Sequence, residues 1–218
     1  MGIYIEALIL YVLLFFSGAV WPLSEAPAGF LTAAETARIL AHNVPSLALI
    51  WYLLLKARRT TIPPGGEEWN LRPGGKDLIS GLIALPCLLI TGFTIAFISS
   101  YIGGTDAPLQ LNYPSGPSQW IILCISCISS AYLEESFFRF YLLSRREEFK
   151  LSAAQALVFS AALFSICHIY EGPWGFLNSV ISGILLSFIF LRYKSLHGIA
   201  IAHSFYNILA YAIAAMTG

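Results

Sequence analysis

The chain has 218 residues, of which 57% are hydrophobic and 11% charged, and its mean hydropathy is +0.73. An ordinary soluble domain carries about 25% charged residues, so this composition excludes a soluble globule and favours one compact membrane-embedded domain. Twelve basic and twelve acidic residues give a net charge of zero, so the charge balance does not predict a nucleic-acid partner.

Seven apolar stretches are close to the ~20 residues that a membrane span needs. The first lacks the basic leader of a cleavable signal peptide, and we expect it to be retained as an anchor. We therefore predict an all-α polytopic bundle that forms a single domain over residues 1–218, with its motif-bearing core in residues 120–216. The predicted spans are residues 3–20, 39–55, 78–101, 120–143, 153–170, 174–191 and 199–216. The Gly172-Pro173 break predicts that the fifth and sixth helices are antiparallel neighbours.

Basic residues collect in alternate loops. Ten of the twelve Lys and Arg lie on one predicted side; Arg38 lies on the other, and Arg139 lies inside a span. Because cytoplasmic loops retain Lys and Arg, we expect a cytoplasmic amino terminus. We expect a multi-pass protein in the plasma membrane of a prokaryote. The longest polar segment, residues 58–77, contains Pro63-Pro64-Gly65-Gly66 and is predicted to be a connecting loop.

Ionisable residues inside a predicted span are costly and by default indicate a functional site. The fourth span carries Glu134, Glu135 and Arg139. Glu135 and Arg139 are four residues apart, in the favourable order for an ion pair on one helical face. Glu134 lies about 100° round the helix from Glu135, so it does not need to share that partner and can point into a cavity. The sequence therefore predicts different roles for the two acids.

Two later spans carry polar residues at the same spacing. Phe164 and His168 place an aromatic ring one turn from an imidazole, and His203 and Asn207 share a helical face. A carboxylate beside a histidine can deprotonate water, while an imidazole and a carboxamide can donate hydrogen bonds to a developing oxyanion. With Glu134, this set would suffice for peptide hydrolysis.

Each residue also has a structural interpretation. A histidine or asparagine in a membrane helix often bonds only to a neighbouring helix, which fits His203 and Asn207 equally well. Glu135 with Arg139 is interpreted first as a structural pair. Glu134 has no local cation, which makes a packing role expensive in lipid. The four cysteines are interpreted as small buried hydrophobic residues and not as a metal or redox site: Cys87, Cys124, Cys127 and Cys167.

Three motifs therefore follow one another on successive predicted helices, and they are Glu134-Glu135-x-x-x-Arg139, Phe164-x-x-x-His168 and His203-x-x-x-Asn207. In this order they resemble the motifs of the CPBP family, which contains the CAAX prenyl proteases of the Rce1 type and the bacteriocin-processing, or Abi, proteins. The first hundred residues add only a compatible topology.

The resemblance implies an intramembrane endopeptidase in which Glu134, assisted by His168, activates water. His203 and Asn207 would then hold the oxyanion. The residues to which it gives a supporting role are Glu135, Arg139 and Phe164.

The family has been viewed both as metal-dependent and as glutamate-based. Two histidines and a glutamate are possible zinc ligands. However, zinc would take Glu134, the carboxylate needed as base, unless Glu135 left Arg139, and the chain has no HExxH motif. We expect a site without a cofactor, and zinc-assisted water activation is the alternative.

The predicted spans do not bring the two histidines to one depth. At ~1.5 Å per residue, His168 lies more than about 20 Å from the cytoplasmic end of its helix, and His203 lies about 10 Å from that side. Tilt, a deeper helix start or irregular backbone lining a wet cavity are three ways to close this gap.

The expected partners are the lipid bilayer and a membrane-associated protein or peptide substrate. A proton-relaying carrier or an immunity protein that binds a peptide without cutting it would carry similar residues. A carrier is expected to show inverted repeats or paired broken helices, and the sequence shows neither, which favours the peptidase. The motifs do not identify the substrate: prenylated CAAX proteins, peptide precursors and sorted surface proteins all fit.

Overall fold

The computed structural model describes residues 2–16, 32–61, 73–102 and 114–217, and all regular elements in these ranges are helical. The predicted all-α class is therefore confirmed for the described residues, while the Pro63–Gly66 turns lie outside them. In chain order the main helices are α1 (Gly2–Phe15), α2 (Ala33–Thr61), α3 (Gly75–Ile102), α4 (Pro117–Ser144), α5 (Ala153–Ile166), α6 (Gly172–Tyr193) and α7 (Leu196–Thr217).

Five of these helices are long and apolar enough to cross a membrane, namely α2, α3, α4, α6 and α7. Helices α1 and α5 are apolar too but have 14 residues each, or about 21 Å at 1.5 Å per residue. The hydrocarbon core of a bilayer is about 30 Å thick, so these two helices are too short to cross it by themselves. The structure thus supports five of the seven predicted spans, and residues 17–20, the predicted end of the first, lie outside its description.

The predicted fifth span is wrong at its carboxyl end. Helix α5 starts at a capping box, in which Ser152 and Gln155 exchange hydrogen bonds between side chain and backbone, and it ends at Ile166 rather than at residue 170. A single 3₁₀ turn, Ile169–Glu171, then leads to Gly172, whose φ of +78° suits glycine. The short connection agrees with the close packing of α5 against α6.

Helix α4 changes its winding where the polar motif lies. Its α-helical part, Pro117–Glu135, is followed by a π-helical segment, Ser136–Tyr141, whose six residues are all buried. A π segment adds a residue to the turn and is frequent at functional sites. Four of the six residues are aromatic, and Phe138 packs edge-on against Phe164 of α5. This contact ties the polar part of α4 to the helix that precedes His168.

The start of α7 is fixed against the start of α3. The Asp77 carboxylate accepts hydrogen bonds from the Ser195 hydroxyl and, at 3.4 Å, from the Gly198 N–H. A Cβ at Gly198 would lie 2.1 Å from Ser80 Oγ and 2.2 Å from the Asp77 carbonyl oxygen, so only glycine fits. His203 follows Gly198 by five residues. The contact between the starts of α3 and α7 therefore sets the depth of His203 in the bundle.

Candidate active site

The predicted site residues meet at one cavity. Its volume is about 530 Å³, and residues from α2, α3, α4, α5, α6 and α7 line it. The walls include all four predicted catalytic residues and the predicted supporting aromatic ring, which are Glu134, His168, His203, Asn207 and Phe164. Three motifs separated by up to 73 positions thus face the same enclosed space.

Glu135 lies beneath this cavity in a fully buried ion pair. Its Oε1 is 3.2 Å from Nη1 of Arg139, and both side chains have no exposed surface. Arg139 also donates to the Gly183 carbonyl of α6 at 3.4 Å, and its guanidinium carbon lies 4.5 Å from the centre of the Phe164 ring. The predicted pair is therefore present, and it connects three helices.

His203 joins this network through the same carboxylate. Its Nδ1 lies 2.8 Å from Glu135 Oε1. Because Glu135 is the ionised carboxylate of an ion pair, this oxygen can only accept a hydrogen bond. Nδ1 therefore carries the proton and Nε2 is directed towards Glu134, at 3.8 Å from its Oε2. The link between His203 and Glu135 was not predicted from the sequence, because the two residues are 68 positions apart.

Glu134 has the opposite environment from its neighbour in sequence. Its side chain is 20% exposed and lines the cavity, whereas Glu135 is fully buried. One oxygen, Oε2, is itself buried and has no hydrogen-bond partner in the structure. A buried carboxylate oxygen without a donor is costly, so water or a ligand is expected to hydrogen-bond to it.

His168 is not inside a helix as predicted, but in the turn after α5. Because α5 ends at Ile166, the backbone is irregular at His168, and the side chain returns to the cavity. The rings of His168 and His203 lie 4.5 and 6.1 Å from that of Phe164, centre to centre. The depth gap between the two histidines in the predicted spans is therefore not present in the structure, and the backbone at His168 is irregular, which was one of the three ways to close it.

The orientation of the His168 ring is fixed by its own helix. Nδ1 lies 2.8 Å from the Phe164 carbonyl oxygen, which must accept, so Nδ1 carries the proton and Nε2 is left as an acceptor. In the described part of the chain, no hydrogen bond joins His168 to Glu134. Both residues nevertheless line the same cavity.

Several lining residues were missed by the sequence analysis. Tyr170 and Glu171 come from the 3₁₀ turn, and Asn178 of α6 donates to the Tyr206 hydroxyl of α7 at 3.1 Å. Among the described residues, Asn178 Oδ1 and Ser182 Oγ are buried and have no hydrogen-bond partner. Their four-residue spacing inside an apolar segment was a signal of the same kind as the three motifs. These polar atoms give the cavity a second wall that can bind a polar ligand.

The site residues do not fit a zinc ion in this arrangement. Within residues 2–16, 32–61, 73–102 and 114–217, no three His, Cys, Asp or Glu side chains are grouped closely enough to hold a metal ion. Glu135, which would have to replace Glu134 as a ligand, is committed to its ion pair with Arg139. No step of the reaction is therefore assigned to a metal below.

Comparison with known proteins gives a match to a protein-family model. Residues 116–209 match the model of the Rce1-like family, described as type II CAAX prenyl endopeptidase Rce1-like. The matched segment contains all three motifs, and the match is to the family that those motifs resemble. The match supports a protease, and the apolar helices make it an integral membrane one. No curated protein and no solved structure shows significant similarity to the chain.

Proposed function

We propose that the chain is an intramembrane endopeptidase that hydrolyses a peptide bond of a membrane-associated protein or peptide precursor, CAAX-type substrates included. One observation carries the proposal: the unpartnered, buried Oε2 of Glu134 faces a cavity that two oriented histidines also line. The match of residues 116–209 to a CAAX endopeptidase family supports the same reaction.

In this mechanism Glu134 is the general base. Its carboxylate takes a proton from a water molecule in the cavity while the water oxygen attacks the carbonyl carbon of the substrate. Nε2 of His168 is free to accept a hydrogen bond because Nδ1 donates to Phe164, and it orients the same water. The protonated Glu134 then returns the proton to the leaving amine as the C–N bond breaks.

His203 and Asn207 stabilise the oxyanion of the tetrahedral intermediate. They lie one turn apart on α7 and line the cavity together. Since Nδ1 of His203 donates to Glu135, Nε2 donates to an oxyanion only when the ring carries both protons. The Asn207 amide supplies a second donor. Glu135, Arg139 and Phe164 position His203, and the whole mechanism uses no metal.

The test is cleavage by the purified protein reconstituted in liposomes. Substrates are quenched fluorescent peptides with a carboxyl-terminal Cys-aliphatic-aliphatic-X sequence, in farnesylated and unmodified forms, alongside a membrane peptide library. In isotope-labelled water, the endopeptidase gives products whose new carboxyl group contains one labelled oxygen. A carrier or a peptide-binding immunity protein would return every peptide intact, which would refute the proposal.

A further inference from the structure

A second cavity, away from the candidate active site, is lined mainly by basic residues. Its volume is about 450 Å³, and four of its seven lining residues are Lys or Arg, with none acidic among those described. The basic residues are contributed by the starts or ends of three long helices and are Lys76, Arg146, Arg192 and Lys194. The remaining lining residues are Ala153, Leu191 and Tyr193.

The basic cavity lies at the ends of helices that are long and apolar enough to cross a membrane. Lys76 is the second residue of α3, Arg146 follows the end of α4, and Arg192 lies in the last turn of α6. Three helices long enough to span a bilayer therefore place cations at the same end. Phosphates of lipid headgroups lie at this depth, just outside the hydrocarbon core.

One ring contact and one backbone conformation are recorded for the cations at the end of α6. The Arg192 guanidinium lies 5.5 Å from the centre of the Tyr193 ring, and Lys194 ends α6 in the left-handed conformation with a φ of +54°. Arg146 makes one ion pair, at 3.6 Å, with Glu147, whose side chain is 87% exposed. Glu147 does not line the cavity, so the described lining residues are basic, polar or apolar and include no acid.

An apolar surface continues from this cavity along the bundle. Phe188 lies one turn before Arg192, and Ile184 one turn before that, so the three side chains share one side of α6. Phe188 is 62% exposed and Ile184 is 42% exposed. A phosphate bound at Arg192 would thus have the apolar surface of Phe188 and Ile184 next to it. This surface can pack against acyl chains but makes no favourable contact with a dissolved anion.

We propose that this basic cavity binds the phosphate headgroup of an anionic membrane lipid, whose acyl chains lie along Phe188 and Ile184. The shared chemistry is a phosphate recognised by Lys and Arg, and the adjoining apolar surface favours a lipid over free phosphate. The site is separate from the cavity that contains Glu134, and its occupancy is measured by binding and not by cleavage.

The experiment measures binding of fluorescent phosphatidylglycerol to the full-length protein in phosphatidylcholine nanodiscs. Lys194→Gln and Lys150→Gln form a matched pair, because both lysines have a φ of +54° and follow helix ends, but only Lys194 lines the cavity. Removing one cation of the cavity is expected to weaken the binding of phosphatidylglycerol about fivefold. The double variant that combines Arg192→Gln and Lys194→Gln is therefore expected to weaken it about 25-fold. Lys150→Gln is expected to change binding less than about twofold.

Wild-type protein supplies a second readout that requires no variant to fold. Phosphatidylglycerol is expected to remain bound in native mass spectra when inorganic phosphate is added in excess, and to be lost at high salt. Displacement by inorganic phosphate alone, or equal weakening by Lys150→Gln and Lys194→Gln, would overturn the lipid assignment. Equal retention of phosphatidylcholine and phosphatidylglycerol would overturn it as well.

Discussion

Nδ1 of His203 on α7 lies 2.8 Å from Oε1 of Glu135 on α4, and the same oxygen lies 3.2 Å from Nη1 of Arg139. One carboxylate oxygen therefore determines both the position of a buried guanidinium and the direction of a cavity-lining imidazole. The other oxygen of Glu135 is buried and has no hydrogen-bond partner in the described part of the chain. The network is thus held by few contacts, and removing any one of them is expected to be costly.

Arg139→Ala is expected to destabilise the protein by several kcal/mol, on the order of 3–5, because it leaves the fully buried Glu135 carboxylate without its counter-ion. Arg146→Ala is the control, since that arginine pairs with an exposed glutamate and its loss is expected to cost less than about 1 kcal/mol. Thermal unfolding in detergent compares the two. Equal melting profiles for both variants would contradict the buried network.

Gly198→Ala is expected to disrupt the contact between the starts of α3 and α7, which sets the depth of His203. The new Cβ would meet Ser80 Oγ and the Asp77 backbone, and strain of this kind costs about 1–3 kcal/mol. Gly75→Ala is the control, because a Cβ at that first residue of α3 meets nothing within 4 Å. Unfolding of both variants is compared in the same detergent. If Gly198→Ala is as stable as Gly75→Ala, the close packing of α3 on α7 is incorrect.

Asn207→Ala is expected to lower kcat by about 10² to 10³ with little change in KM, the usual cost of losing one oxyanion donor. Ser204→Ala is the control on the same helix, because its hydroxyl donates to the Ala200 carbonyl of its own backbone at 2.7 Å. Steady-state kinetics on a cleaved peptide separate kcat from KM. A rise in KM at constant kcat would assign Asn207 to ground-state binding instead.

Chelation is expected to leave the wild-type activity unchanged, and metal analysis is expected to find no stoichiometric zinc. His203→Ala is expected to lose activity without losing a metal, because no three His, Cys, Asp or Glu side chains of the described residues are grouped to hold one. If stoichiometric zinc is present in the wild type and is lost in His203→Ala, the zinc alternative replaces the metal-free mechanism.

The four-residue spacings were sufficient to predict which side chains share a site, but not how they contact one another. Spacing within a helix fixes which residues lie on one face, and this predicted the pair of Glu135 with Arg139. Contacts between helices depend on how each helix is rotated about its own axis and on how deep it lies in the bundle, and spacing along one helix fixes neither. For this reason the bond from His203 to Glu135 and the second polar wall at Asn178 were not predicted from the sequence.

The depth of His168 shows why hydropathy alone was misleading. Residues 167–170 are apolar enough to extend a span, yet the helix ends at Ile166 and the polar His168 turns towards the cavity. Backbone away from a helix is tolerated at membrane depth where it lines a cavity. The irregularity is therefore a property of the tertiary site, which a local hydrophobic pattern does not contain.

The most direct test of the account is the rate of peptide cleavage by Glu134→Gln, which keeps the volume and hydrogen bonding of Glu134 but removes its basicity. Glu147→Gln is the control, since its side chain is 87% exposed and outside the active-site cavity. Glu134→Gln, extracted as a monodisperse protein, is expected to lose at least about 10² to 10⁴ in kcat, and Glu147→Gln is expected to be unchanged. Cleavage by Glu134→Gln at close to the wild-type rate would contradict the assignment of Glu134 as the general base.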